Sequence, residues 1–117
     1  RERISLFRAE EKNLGINHCI SGAMIVKAWK LEGPVGETII NHHTYMDYTG
    51  DHKDILFSIA AANRFASIME IGFSGDRYPE KTDNLVWETL GVNYDVFEGI
   101  EKTVSEEIEK AHVFLKL

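Results

Sequence analysis

The spacing of apolar residues is helical along almost the whole chain, and no other feature of the sequence constrains the fold as strongly. Apolar positions recur at three- and four-residue intervals, and no segment shows the strict apolar–polar alternation of a half-buried strand. The chain has 117 residues, 44% of them hydrophobic, which is enough for one domain with one core. We therefore predict an all-α domain over residues 1–117, a compact bundle of about six helices.

Turn and capping residues set the limits of the first two helices. The first is predicted from Glu2 to Leu14 and ends at Gly15, where a left-handed residue is favoured. Asn17 can cap the second helix, predicted from His18 to Leu31, through its side-chain oxygen. We expect this second helix to be central and well buried, because it combines an apolar face with Gly22, which admits a close neighbour.

The pair Gly33-Pro34 separates the second helix from a short third helix, since proline is tolerated in a first helical turn and disfavours helix in the residue before it. The third helix delivers His42 and His43 at its C-terminal end. A polar loop over residues 44–53 follows, and it could line a pocket beside the histidines. The fourth helix, Asp54 to Ile71, is apolar over much of its circumference and is therefore predicted to pack on several sides.

A turn-rich connection over residues 73–82 leads to two further helices. Thr82 or Asp83 is predicted to cap a short fifth helix that ends before Gly91. Asp95, with Glu98 three residues later, has the spacing of a capping box and is predicted to begin the last helix. Apolar residues continue this helix at helical spacing: Phe97, Ile100, Val104, Ile108, Ala111 and Leu115.

A net charge of −6 and a single cysteine narrow the classes of function. Lysine and arginine form no cluster, so the electrostatic footprint expected of nucleic-acid or anionic-membrane binding is missing from the sequence. Cys19 alone excludes an internal disulfide and a multi-cysteine zinc site. We expect no signal peptide and no transmembrane span, and a cytoplasmic, reducing location.

Three imidazoles are predicted to lie at the ends of two adjacent helices. His18 begins the second helix and His42 with His43 ends the third, so the three side chains could meet over one site. Three histidines suit zinc or a similar divalent transition metal. A purely structural role competes with this interpretation and needs no cofactor, because polar imidazoles at helix ends can serve as caps and interact favourably with the C-terminal helix dipole.

The same residues carry a resemblance to a known family. The segment EEKNLGINHCISGAMIVKAWKL, the short helix with INHH and the alanine-rich helix SIAAANRFASIMEIG are together similar to the C-terminal part of an HD-related output domain, HDOD. That family is bacterial, is often attached to receiver or other signalling domains, and is related to the HD superfamily of metal-dependent phosphohydrolases, including the HD-GYP cyclic-di-GMP phosphodiesterases. The resemblance implies an HD-like helical fold and a role in signal transduction without hydrolase activity.

Transferred residue by residue, the resemblance implies a metal site that has lost part of its ligand set. His18, four residues before Gly22, and the pair His42-His43 match metal-binding positions of the related phosphodiesterases. The chain has no His-Asp pair, no acidic residue between positions 54 and 70, and no Gly-Tyr-Pro element after the paired histidines. Phosphoester hydrolysis needs a metal to generate hydroxide, usually with a bridging carboxylate. We therefore predict three candidate metal ligands and no catalytic residue.

Two functions from different classes remain open. The leading one is a non-catalytic regulatory output domain that docks another signalling domain or protein. The alternative is a metal-dependent phosphohydrolase acting on a nucleotide or cyclic dinucleotide, with the three histidines as ligands. Because the resemblance covers the C-terminal part of a domain, we also expect a longer parent chain. Loss of a helical half would leave Trp29, Phe57 and Phe65 exposed and would favour a homo-oligomer.

Overall fold

Helices account for all the regular structure in the part of the chain that the structure describes. A computed structural model describes residues 3–70 and 74–115, and within these residues it forms a compact bundle of six α-helices with no strand, which confirms the predicted fold class. A short 3-10 helix, Tyr45–Asp47, lies in the predicted polar loop. The α-helices are α1 (Leu6–Leu14), α2 (His18–Trp29), α3 (Pro34–Asn41), α4 (Lys53–Ile68), α5 (Asn84–Leu90) and α6 (Tyr94–Leu115).

Local capping explains where the first helices begin and end. The Ser5 hydroxyl accepts the Arg8 N–H at 3.3 Å, so α1 begins at Leu6 and not near residue 2. Asn17 caps α2 as predicted, by accepting the N–H of Ile20 at 3.0 Å. The second helix ends two residues before its predicted limit, because residue 30 adopts a left-handed conformation. The predicted limits at residues 2 and 71 lie outside the described residues.

Among the later helices, the structure corrects one predicted N-terminal cap. α3 begins at Pro34 as predicted, and Asp83 caps α5 by accepting the N–H of Leu85 at 2.9 Å. The capping-box prediction for the last helix is wrong. Asn93 accepts the Val96 N–H at 3.0 Å, and Asp95 lies within the first turn of α6. An Asn two residues earlier supplies the same side-chain oxygen.

The core forms where α4 meets α5. Phe57 and Ala61 of α4 and Val86 of α5 form one buried cluster. Three half-buried side chains pack against it: Tyr45, Trp87 and Leu90. Phe57 is 2% exposed, so the expectation that it lies on an open surface is wrong. α4 contacts α3, the 3-10 helix and α5, which confirms the prediction that it packs on several sides, although Ile55 and Ile59 remain exposed.

The expected burial of α2 is likewise corrected. Cys19 is the one buried residue of this helix, and Trp29 is 72% exposed. α3 approaches α2 closely at Gly22, as predicted, because a Cβ added there would lie 2.6 Å from Ile39 Cγ2. The outer face of α2 remains open because its apolar side chains have no such neighbour: Ile20, Met24 and Ile25 are exposed.

Among residues 3–70 and 74–115, no helix has both the length and the apolar character needed to cross a bilayer.

Candidate functional site

The three predicted imidazoles meet at one place in the fold. His18 is the first residue of α2, and His42 and His43 follow directly after α3. The ring centroids are 5.2 Å apart for His18 and His42, 4.9 Å for His18 and His43, and 4.6 Å for His42 and His43. The close packing of α3 against α2 at Gly22 brings these helix ends together.

A carboxylate holds the His18 ring in place. Glu10 Oε2 lies 2.6 Å from His18 Nδ1 and accepts the His18 backbone N–H at 2.9 Å. Burial alone would raise the pKa of Glu10, but the two hydrogen bonds and the charge of His18 lower it overall. Glu10 therefore orients the ring so that its other nitrogen, Nε2, faces His42.

The Nε2 atoms of His18 and His42 converge at 3.2 Å. His42 Nδ1 lies 3.0 Å from the carbonyl oxygen of Ile39, which can only accept, so the network assigns the His42 proton to Nδ1. His42 Nε2 is then the acceptor of the contact with His18 Nε2. Hydrogen-bonding contacts thus run from Glu10 through both nitrogens of His18 to His42.

His43 occupies a more enclosed position than His18, whose side chain is 37% exposed. The His43 side chain is 14% exposed, stacks on Phe7 at a centroid distance of 4.6 Å, and has Nδ1 3.9 Å from Glu80 Oε2. Burial lowers the pKa of His43 to about 4, and the neighbouring His42 and His18 act in the same direction, against Glu80 and Asp76. Burial likewise lowers the pKa of His42. His43 is therefore neutral near pH 7.

Cys19 joins this group, although sequence reasoning placed it outside any site. Its thiol is buried, its Sγ lies 3.7 Å from His42 Nδ1, and burial raises its pKa. One ligand atom from each of His18, Cys19 and His42 lies within 4.8 Å of the others, so this group could bind a metal ion. The Cys19 contact thus joins α2 to His42 at the end of α3.

Carboxylates are closer to the histidines than the sequence indicated. Glu10 contacts His18, and Glu80 approaches His43. Glu80 also accepts a hydrogen bond from Arg8 at 2.9 Å. No local motif could reveal these pairs, because Glu10 reaches His18 across a turn and Glu80 belongs to the connection between α4 and α5.

An open cavity of about 450 Å³ lies next to the cluster. The three histidines line it, together with residues from α1, α4 and the connection before α5. The polar loop predicted beside the histidines contributes as expected, through Thr44, Tyr45, Met46 and Asp47. The arrangement therefore combines convergent nitrogen and sulfur ligands with room for a small molecule.

Comparisons of the chain with protein-family models, with curated proteins and with solved structures found no match.

Proposed function

We propose that the chain is a non-catalytic bacterial signal-transduction domain of the HDOD type, which acts in the cytoplasm by docking another signalling domain or protein. The observation that carries this proposal is the unpartnered outer face of α2. Trp29 is 72% exposed, Met24 63% and Ile25 48%. Apolar patches of this kind on a folded domain commonly mark interaction sites, because leaving them in water is unfavourable.

The charges around this face favour one kind of partner. Lys27 and Lys30 flank Trp29, and both lysines are exposed. A partner helix with an apolar stripe and acidic flanks would bury the indole and pair with the two ammonium groups. Trp29 has the size and position of an interface anchor, because large aromatic side chains supply much of the binding energy of such contacts.

A photoreactive residue at position 29, with a control at the exposed Ser105 of α6, tests this docking face. We expect a crosslink to a separate protein from position 29 but not from position 105. The purified pair should then bind, and Trp29→Ala should weaken binding by about tenfold or more. Crosslinking at both positions alike, or unchanged affinity of Trp29→Ala, would contradict the proposal. A concentration-dependent dimer abolished by Trp29→Ala would identify the partner as a second copy.

The convergence of His18 and His42 favours a second candidate, a metal-dependent phosphohydrolase acting on a nucleotide or cyclic dinucleotide. Two Nε2 atoms 3.2 Å apart have the spacing of neighbouring ligands on one tetrahedral ion with bonds of about 2.0 Å. The other nitrogen of each ring contacts an acceptor, Glu10 for His18 and Ile39 O for His42, and such acceptors commonly orient histidines that bind a metal. A bound divalent transition metal would supply Lewis-acid activation of water.

Metal analysis separates the two candidates. The regulatory domain is expected to hydrolyse no phosphodiester when supplied with Zn²⁺, Mn²⁺ or Fe²⁺. The phosphohydrolase would hold stoichiometric metal and would lose hydrolysis of bis(p-nitrophenyl) phosphate in His42→Ala. Cys19→Ser refines the ligand set. It should lower metal affinity if the ligands are His18, Cys19 and His42, and it should leave affinity unchanged if His43 is the third ligand.

A further inference from the structure

Arg64 is a basic side chain of the cavity that has no counterion among residues 3–70 and 74–115. Arg64 of α4 lines the cavity, is half-buried, and makes no hydrogen bond or ion pair with any described residue. Arg8, on another wall, differs because it is paired with Glu80 and Glu11. A guanidinium carries five donors in a rigid fork, so a half-buried one without an acceptor is an incomplete arrangement.

Further donors line the same cavity as Arg64. Asn63 precedes it on α4, and Lys81 and Thr82 lie in the connection before α5. None of these three side chains makes a hydrogen bond with the part of the chain that the structure describes. Two cations, an amide and a hydroxyl are thus available to one ligand.

The carboxylates that line the cavity are not paired with these four donors in the described residues. Glu10 is held by His18 and Glu80 by Arg8, and Asp76 accepts the N–H of Tyr78 at 3.0 Å. Asp47 is exposed at the rim. The Asp47 carboxylate can accept a hydrogen bond from a ligand. It does not neutralise Arg64, since no ion pair joins these two residues in the described part of the chain.

We propose that this cavity binds a small organic anion, whose phosphoryl or carboxylate group is held by Arg64 and Lys81 with Asn63 and Thr82 as further donors. Arg64 and Lys81 share the recognition of anionic oxygen, which phosphate and carboxylate present alike. The volume of about 450 Å³ suits a molecule of metabolite size. Binding here requires neither a metal at the histidines nor a partner on α2.

The site also joins segments that are distant in sequence. Arg64 lies in the second half of α4, whereas Lys81 belongs to the connection that Glu80 ties to Arg8 of α1. An anion bridging Arg64 and Lys81 would fasten this connection to α4. On the regulatory function proposed above, such a ligand would be an input that rigidifies the domain.

Titration of the full chain with inorganic phosphate and, separately, with succinate tests the site in the presence of EDTA. We expect one of the two to shift the amide NMR signals of Ser67 and Lys81 in a saturable way. Arg64→Gln should weaken that binding by about tenfold or more, because a charge-assisted hydrogen bond is lost. Arg77→Gln should leave it unchanged, since Arg77 is exposed in the same connection and does not line the cavity.

A saturable shift with phosphate would indicate a phosphoryl ligand, and one with succinate would indicate a carboxylate ligand. If Arg64→Gln does not fold, Lys81→Gln replaces it, because Lys81 is exposed and its change removes only a surface charge. The proposal is overturned if neither probe gives a saturable shift, or if both cavity variants bind as tightly as Arg77→Gln. Trp29→Ala should bind the anion normally, so failure of the docking proposal is distinguishable from failure of this one.

Discussion

Glu10 and His18 form the best-defined polar contact of the site, with one carboxylate oxygen accepting both the backbone N–H and the ring Nδ1–H of the histidine. The ring is thereby fixed at the start of α2, and Nε2 is presented to His42 at 3.2 Å. The same contact ties α1 to α2, so it serves the fold as well as the site.

Replacing Glu10 with Gln should destabilise the protein. An amide oxygen can still accept one hydrogen bond, but it is a weaker acceptor than a carboxylate, whose hydrogen bonds are charge-assisted. We expect the free energy of unfolding to fall by about 1–2 kcal/mol, as for hydrogen bonds to charged groups. Urea denaturation at pH 7 with EDTA measures this.

Glu32→Gln is the matched control, because Glu32 is exposed and its side chain makes no hydrogen bond or ion pair with the described residues. It should change the free energy of unfolding by less than about 0.5 kcal/mol. Equal stability of the two variants would show that the Glu10–His18 pair contributes nothing.

Acid should destabilise the metal-free protein before its carboxylates titrate. The pKa of His43 falls from 6.5 to about 4 on folding, so the unfolded chain binds a proton between these values that the folded chain does not. The contribution is fully present above pH 6.5 and is lost as the pH falls to about 4. For His43 alone the loss amounts to about 3 kcal/mol, and His42 acts in the same direction.

The measurement is the free energy of unfolding at several pH values between 7 and 4, in EDTA. His43→Gln should flatten the profile, whereas the exposed control His112→Gln should leave its slope intact. If the free energy of unfolding falls equally with pH in His43→Gln and in the unchanged protein, other groups cause the acid sensitivity.

The cap of α6 gives a direct comparison between the sequence interpretation and the structure. Asn93→Ala removes the acceptor of the Val96 N–H and should cost about 1 kcal/mol of stability. Asp95→Ala removes only a charge near the helix N-terminus, with an expected cost of about 0.3–1 kcal/mol. Chemical denaturation of the two variants decides the order, and a larger cost for Asp95→Ala would restore the capping-box prediction.

Local signals in the sequence were sufficient for most of the fold. Asn17, Pro34 and Gly91 act within one or two turns of their own position, and the helices begin or end where these residues predicted. The meeting of the three histidines was also predictable, because a short connection forces α2 and α3 to be neighbours. Such inferences need only the geometry of adjacent elements.

Contacts between residues that are distant in the sequence could not be predicted from such local signals. Helical spacing shows that α2 has an apolar face, but not whether another helix covers it, and the expectation that α2 is well buried was therefore wrong. The approach of Glu80 to His43 likewise depends on the path of the connection before α5. Whether Arg64 has a partner among the described residues depends on which acceptors lie near it in space, and spacing along the chain does not report this.

The packing of α2 against α3 makes opposite predictions for two helical glycines. A Cβ at Gly22 would lie 2.6 Å from Ile39 Cγ2, so Gly22→Ala should cost about 1–3 kcal/mol through overpacking. A Cβ at Gly99 of α6 meets nothing within 4 Å, so Gly99→Ala should stabilise the protein by about 0.5–1 kcal/mol through helix propensity. Thermal unfolding followed by circular dichroism should therefore move in opposite directions for the two variants. Because α2 and α3 carry His18 and His42, Gly22→Ala should also separate their rings and weaken binding of added Co²⁺, whereas Gly99→Ala should not. A Gly22→Ala protein as stable as its parent would mean that the two helices are less tightly packed than the Gly22–Ile39 distance indicates.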